Sequence, residues 1–217
     1  LFRSRLEKGG KYFVTKNDSA LTAFVVGKGD IEKSGFKIIG AHTDSPSFRI
    51  KPSPEMVVDN VYVRLNTEVY GGPILNTWMD RPLSIAGRVT LENDNLLHPE
   101  TRLVNIKRPI MIIPNLAIHM NRNINTGIEL NKQKDLLPLL SLVNENLEKN
   151  NYLISAIAKE LSVDIKQIID FDLFLYEYEK GSIIGLNNEF ISSSRLDDLA
   201  MVHAGISAIA RGSSIQA

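Results

Sequence analysis

Two short stretches hold side chains able to do metal or acid–base chemistry: Phe36 to Lys51, FKIIGAHTDSPSFRIK, and SSRLDDLA, which contains Asp197 and Asp198. In the first, an apolar run ends abruptly in His42, Thr43, Asp44 and Ser45. On an extended segment residues two apart point to the same side, so one imidazole nitrogen of His42 is free to bind a metal while Asp44 fixes the other. The competing reading of a bare H-x-D is a histidine satisfied by a carboxylate at a strand end, with no metal. The aspartate doublet is open in the same way. It suits a helix N-terminus, whose dipole favours acidic residues. It also suits a centre in which Asp197 bridges two cations ~3.5–4 Å apart and the other aspartate caps or supports.

Composition narrows the chemistry. There is no cysteine among the 217 residues, which excludes a thiol nucleophile, thiolate ligands and disulfides, so any metal is held by His, Asp or Glu. Twenty-five basic residues balance 25 acidic ones, leaving no overall field to attract a polyanion, and no nucleic-acid partner is expected. No apolar run approaches the ~18 residues of a membrane span, and LFRSRLEKGGKY at the start lacks the apolar core of a signal peptide. The expectation is a soluble, cytoplasmic protein with no membrane partner.

The elements that must position these residues follow from periodicity. Phe36, Ile38 and Ile39 predict a short buried strand, with Gly40 allowing close backbone packing and His42 emerging at the strand end, where open α/β sheets bind ligands. Leu21 to Val26 predicts another strand, closed by a turn at Gly27–Asp30. Pro52 and Pro54 are expected to break the chain before β character resumes over Met56 to Leu65. Beyond Tyr70-Gly71-Gly72-Pro73, short β segments at Leu83–Leu91, Leu103–Ile106 and Ile110–Ile113 predict a small antiparallel domain, with Leu116 to His119 a strand or a turn. Leu153, Ile154, Ile157, Ala158 and Leu161 recur at helical spacing after Asn150 or Asn151 as cap. Asp170 to Tyr178 alternates with aromatics on both sides, predicting a strand covered on both faces. Leu199, Val202, Ile206 and Ile209 give a last helix one apolar face, with Asp197 and Asp198 at its start.

Four segments in order, GAHTDSPSFRIKP, NTWMDRPLSIAGRV, IPNLAIHMNR and SRLDDLA, resemble the M18 family of zinc aminopeptidases, which includes the aspartyl aminopeptidases, from about Thr22 to Ala208. Periodicity reaches only an α/β protein with a candidate His/Asp metal site; the resemblance implies, within that α/β class, a three-layer zinc-peptidase catalytic domain over residues 1–70 and 190–217, with an inserted β-rich dimerisation domain over 71–189. It implies removal of the N-terminal residue from a peptide substrate by two Zn2+ per active site, with a preference for N-terminal Asp or Glu left open. It also implies a homo-oligomer built from dimers, up to a dodecamer. Carried over residue by residue, His42 is a ligand of one zinc, Asp44 orients its imidazole and Asp197 bridges both zincs. His119, in LAIH, reaches from the inserted domain into the partner subunit's active site to contact substrate, and Asp80 and Arg81 are a structural pair in the same domain. In the family a Glu-Glu pair, a further Asp and a final His follow the bridging Asp. These do not follow Asp197 here, so the expectation is a longer natural chain that supplies the general base and the remaining ligands, the 217 residues alone being inactive. The alternatives are a catalytically silent assembly subunit of the same fold and an M42-like co-catalytic metallopeptidase, the latter disfavoured by MDRPLSIAGRV and LAIH.

Overall fold

The structure, a computed structural model, describes residues 5–95, 97–143 and 151–212. The chain packs as two compact units, Leu1–Ser45 with Arg195–Ala217, and Pro46–Ser194.

In the first unit, β1 (Lys11–Lys16) and β2 (Ala20–Val25) form an antiparallel hairpin. Its turn carries Asn17 and Asp18 at φ 53° and 52°, left-handed positions that these two residue types tolerate. Tyr12 stacks on Phe24 across the pair at 5.7 Å. Asp30 caps the short α1 (Ile31–Ser34) by accepting from the Glu32 N–H. The last helix of the chain, which we number α3 (Leu196–Arg211), completes the unit, and Lys11 Nζ donates to its Ala210 carbonyl at 3.0 Å.

The strand expected at Phe36–Gly40 is not formed. Phe36, Ile38 and Ile39 are 79, 86 and 78% exposed. A continuous apolar run becomes a strand only when neighbours take up its N–H and C=O groups and other elements cover both of its faces. Here β1 and β2 pair with each other, and no described strand flanks the run. Nor does Gly40 mark a close approach, since a Cβ there would meet nothing within 4 Å.

The second unit is built on six strands: β3 (Ser47–Val58), β4 (Tyr62–Tyr70), β5 (Leu83–Leu91), β6 (Glu100–Asn105), β7 (Leu139–Leu142) and β8 (Ile168–Glu177). They run in the order β6-β5-β8-β3-β4-β7, every neighbour antiparallel. A small hairpin, β9 (Ser182–Ile184) with β10 (Phe190–Ser192), follows. β3 and β4 belong to this sheet, and the compact unit spans Pro46–Ser194.

Alternation decides which side chains go inward. Phe48, Ile50, Leu65, Leu83, Ile85, Leu173 and Leu175 are buried together with Leu153 and Ile157 of α2 (Tyr152–Leu161). The opposite face is not covered as the aromatics of β8 suggested. Arg49 bridges Asp172 at 2.9 Å and Glu68 at 3.4 Å, Phe174 meets Tyr70 edge-on at 5.6 Å, and Tyr176 Oη donates to Asn105. Half-exposed aromatic rings there serve a polar ladder rather than a second core.

Two local expectations give way to tertiary structure. β3 continues through Pro52 and Pro54, because its pairing with β4 jumps from Ile50↔Thr67 to Glu55↔Leu65 and Ser53 turns at φ 48°. The bulge takes the prolines, which have no N–H to offer, out of the ladder. It also brings Glu55 to the start of α2, where its Oε1 accepts from the Leu153 N–H at 2.8 Å. Asn151 makes no side-chain cap bond, and Asn150 lies outside the described residues.

Gly87 marks the tightest approach in the sheet. A Cβ there would fall on the Asp172 carbonyl oxygen and 2.9 Å from Leu173 Cα. No helix among the described residues is long and apolar enough to cross a membrane.

Candidate metal centre

His42 lies on a segment without regular structure, and the aspartate doublet is what shapes it. Asp197 and Asp198 interrupt the first turn of α3 with extended or bridge-region backbone, and Arg195 before them sits at φ 65°. The peptide bond between the two aspartates is cis. The Asp198 side chain is 17% exposed and that of Asp197 is 95% exposed. Asp198 Oδ2 accepts from the His42 backbone N–H at 3.1 Å and so tethers that segment to α3.

The imidazole is held on its Nδ1 side. Nδ1–H donates to the Asp44 backbone carbonyl at 2.9 Å, with Asp44 Oδ1 at 3.3 Å. The residue expected to orient His42 thus touches it through its main chain first and its carboxylate second. This arrangement places the remaining lone pair on Nε2, which faces Asp197 Oδ1 at 3.7 Å and Asp198 Oδ2 at 4.0 Å. The His42 pKa is raised, chiefly by the bond to the Asp44 carbonyl and then by the negative charges of Asp198, Asp44 and Asp197.

The donor chemistry fits zinc. Two donors, each about 2.0–2.2 Å from a shared Zn2+, lie no more than about 4.3 Å apart, a limit that the Nε2–Oδ1 distance of 3.7 Å meets. His42 and Asp197 provide a borderline nitrogen and a hard oxygen, the ligand types left to a chain without cysteine. Among the described residues no group of three or more His, Asp or Glu is placed to hold a metal by itself.

The structure brings His42, Asp44 and Asp197 together. Asp198 is the member that sequence reasoning left without a definite task, and its adjacency to Asp197 was the only signal. His119 belongs to the sheet unit, on an exposed turn in which the Ala117 carbonyl accepts from the Met120 and Asn121 N–H groups.

A mixed α/β chain with a sheet-rich body, in which a histidine faces an aspartate, has the architecture of the zinc-peptidase class. The family model described as "Aminopeptidase I zinc metalloprotease (M18)" matches residues 3–215, and the chain belongs to that family. Of Clostridium novyi, a protein named "Probable M18 family aminopeptidase 2" is 72% identical over 201 residues, which are 93% of this chain and 46% of that protein. Among solved structures, Chaetomium thermophilum mApe1 superposes with a TM-score of 0.83 at 29% identity, over 98% of this chain and 50% of that one. The S. cerevisiae mApe1 dodecamer gives 0.74 at 26%, over 97% and 47%. The chain spans about half the length of the curated relatives it matches.

Proposed function

We propose that the complete protein containing these residues is a cytoplasmic zinc aminopeptidase that removes the N-terminal residue from peptides. The observation that carries the reading is the His42 Nε2 lone pair, directed at Asp197 while Nδ1 is held by Asp44. In this reading His42 binds one zinc, Asp197 is the anion shared by two, and Asp44 and Asp198 hold the ring and the backbone of His42. Zinc bound there supplies Lewis acidity toward the scissile carbonyl and the attacking water. What these residues themselves supply is an imidazole held at Nδ1 and a carboxylate facing Nε2, and a proton on Nε2 competes with the metal for that nitrogen. The general base and the remaining ligands come from the rest of the protein.

The sheet unit is the dimerisation domain in this reading, and His119 contacts substrate in the partner subunit. That one structural relative is a dodecamer supports a closed homo-oligomer, which would admit peptides and exclude folded proteins. Preference for an N-terminal Asp or Glu is the specificity to examine first. The test is hydrolysis of aminoacyl substrates by the complete protein. Activity is expected to disappear with a chelator, return with Zn2+, and fall at least ~100-fold in His42→Ala and in Asp197→Ala. Unchanged hydrolysis in either variant would refute the reading.

A further inference from the structure

The loop that carries His119 leaves the core of the sheet unit at Ile113, which is fully buried, and residues 114–120 are exposed. One residue from a different part of the unit grips both sides of that exit. The Asp80 N–H donates to the Ile113 carbonyl at 2.9 Å, next to a parallel bridge between Met79 and Ile113. The Asp80 carboxylate, through Oδ1, accepts from the Asn115 N–H at 2.9 Å. Pro114, which has no N–H of its own, is thereby straddled, and the direction in which the chain departs is set.

The grip is itself anchored. Asp80 sits at φ 57°, a left-handed conformation that favours Asp, Asn or Gly. Its neighbour Arg81 is tied by Nη1 to Glu177 Oε1 at the end of β8, at 2.6 Å. Past the grip, Asn115 Oδ1 accepts from the Leu116 N–H, and the turn closed on the Ala117 carbonyl follows at once. His119 lies only four positions beyond the gripped amide. The Asp80–Asn115 bond thus sits immediately before the turn that carries His119.

We propose that Asp80 is a positioning residue: by holding the Asn115 amide it sets where His119 presents its imidazole to substrate. This rests on His119 contacting substrate, and the experiment separates the two ideas. In the complete, zinc-loaded, assembled enzyme, Asp80→Gly keeps the left-handed backbone and deletes the acceptor, whereas Asp80→Asn keeps an acceptor oxygen. Asp80→Gly is expected to lower kcat/KM for a peptide substrate about tenfold, as a misplacement on the order of 1 Å does, and Asp80→Asn by no more than about twofold. In a His119→Ala background Asp80→Gly should add less than about twofold, because its effect passes through His119. Zinc content and particle size should match wild type. Should Asp80→Gly not reach wild-type particle size, Asn115→Pro, which removes the donor instead, is read by the same criteria. Equal losses with and without His119, or no loss from Asp80→Gly while His119→Ala is impaired, would overturn the role of Asp80 alone. An unimpaired His119→Ala would overturn the substrate-contact reading beneath it.

Discussion

Replacing Gly87 by alanine tests the packing of the sheet at its most crowded point. Gly87 pairs with Leu173 across the β5–β8 ladder, between two interior strands of the six. The added methyl would stand 2.9 Å from Leu173 Cα, 3.0 Å from the Asp172 carbonyl carbon, and closer still to its oxygen. All three are backbone atoms, so no rotamer change relieves them. Ordinary contact begins near 3.4 Å, so the two strands must part by about 0.5 Å at Leu173 and further at the oxygen, lengthening ladder hydrogen bonds on either side. Overpacking of this kind costs roughly 1–3 kcal/mol. With backbone on both sides of the clash we expect the upper end, a fall in Tm of roughly 6–12 °C for a unit of this size. Gly72→Ala is the control: a Cβ there meets nothing within 4 Å, and Tm should stay within about 1 °C. Thermal unfolding followed by circular dichroism decides. A Gly87→Ala melt within about 2 °C of wild type would refute the close approach of β5 and β8.

Three further outcomes are expected. Asp198→Ala frees the backbone of His42 and should weaken zinc binding ~10–100-fold in competition with a chromogenic chelator; unchanged affinity would deny Asp198 a supporting role. Glu55→Ala removes the acceptor at the start of α2 and should cost about 1 kcal/mol, read as faster hydrogen exchange at the Leu153 amide, with Glu55→Gln intermediate. Glu189 is held below the ordinary carboxylate range of 4.5, first by its own backbone N–H and then by the side-chain and backbone N–H groups of Asn187. Its folded pKa being depressed, its contribution to the β9–β10 turn is complete above the ordinary value and is lost as pH falls through the lowered one. A carboxylate NMR titration should place Glu189 below 4.5, and Asn187→Ala should move it upward; no movement would contradict the turn geometry.

The proximity of His42 and Asp44 was legible because its information is local. A two-residue spacing put His42 and Asp44 together, and the ordered family segments singled out Asp197, which lies 3.7 Å from His42 Nε2. What sequence could not convey was pairing. Phe36 to Ile39 has strand composition, yet strand formation depends on neighbours that no property of the run specifies. The prolines of β3 read as breakers by a sound local rule, which the bulge overrides by leaving them out of the ladder. Gly87 was visible only as a letter in AGRV, and its reason lies in Asp172 and Leu173, far along the chain. The task of Asp198 was hidden for a similar cause, since its partner is a backbone amide 156 residues away.

The cap on α2 bears on the order in which the sheet unit assembles. Ten residues are too few for a helix to persist by itself in water, where lengths below ~12–15 are marginal. This helix also takes its starting acceptor from Glu55, 98 residues earlier in the chain. During synthesis β3 and β4 emerge long before α2, and the carboxylate must wait, solvated, for its amide. Formation of α2 is thus tied to a long loop closure, which makes it a late event in folding and couples the helix to the shape of the β3 bulge.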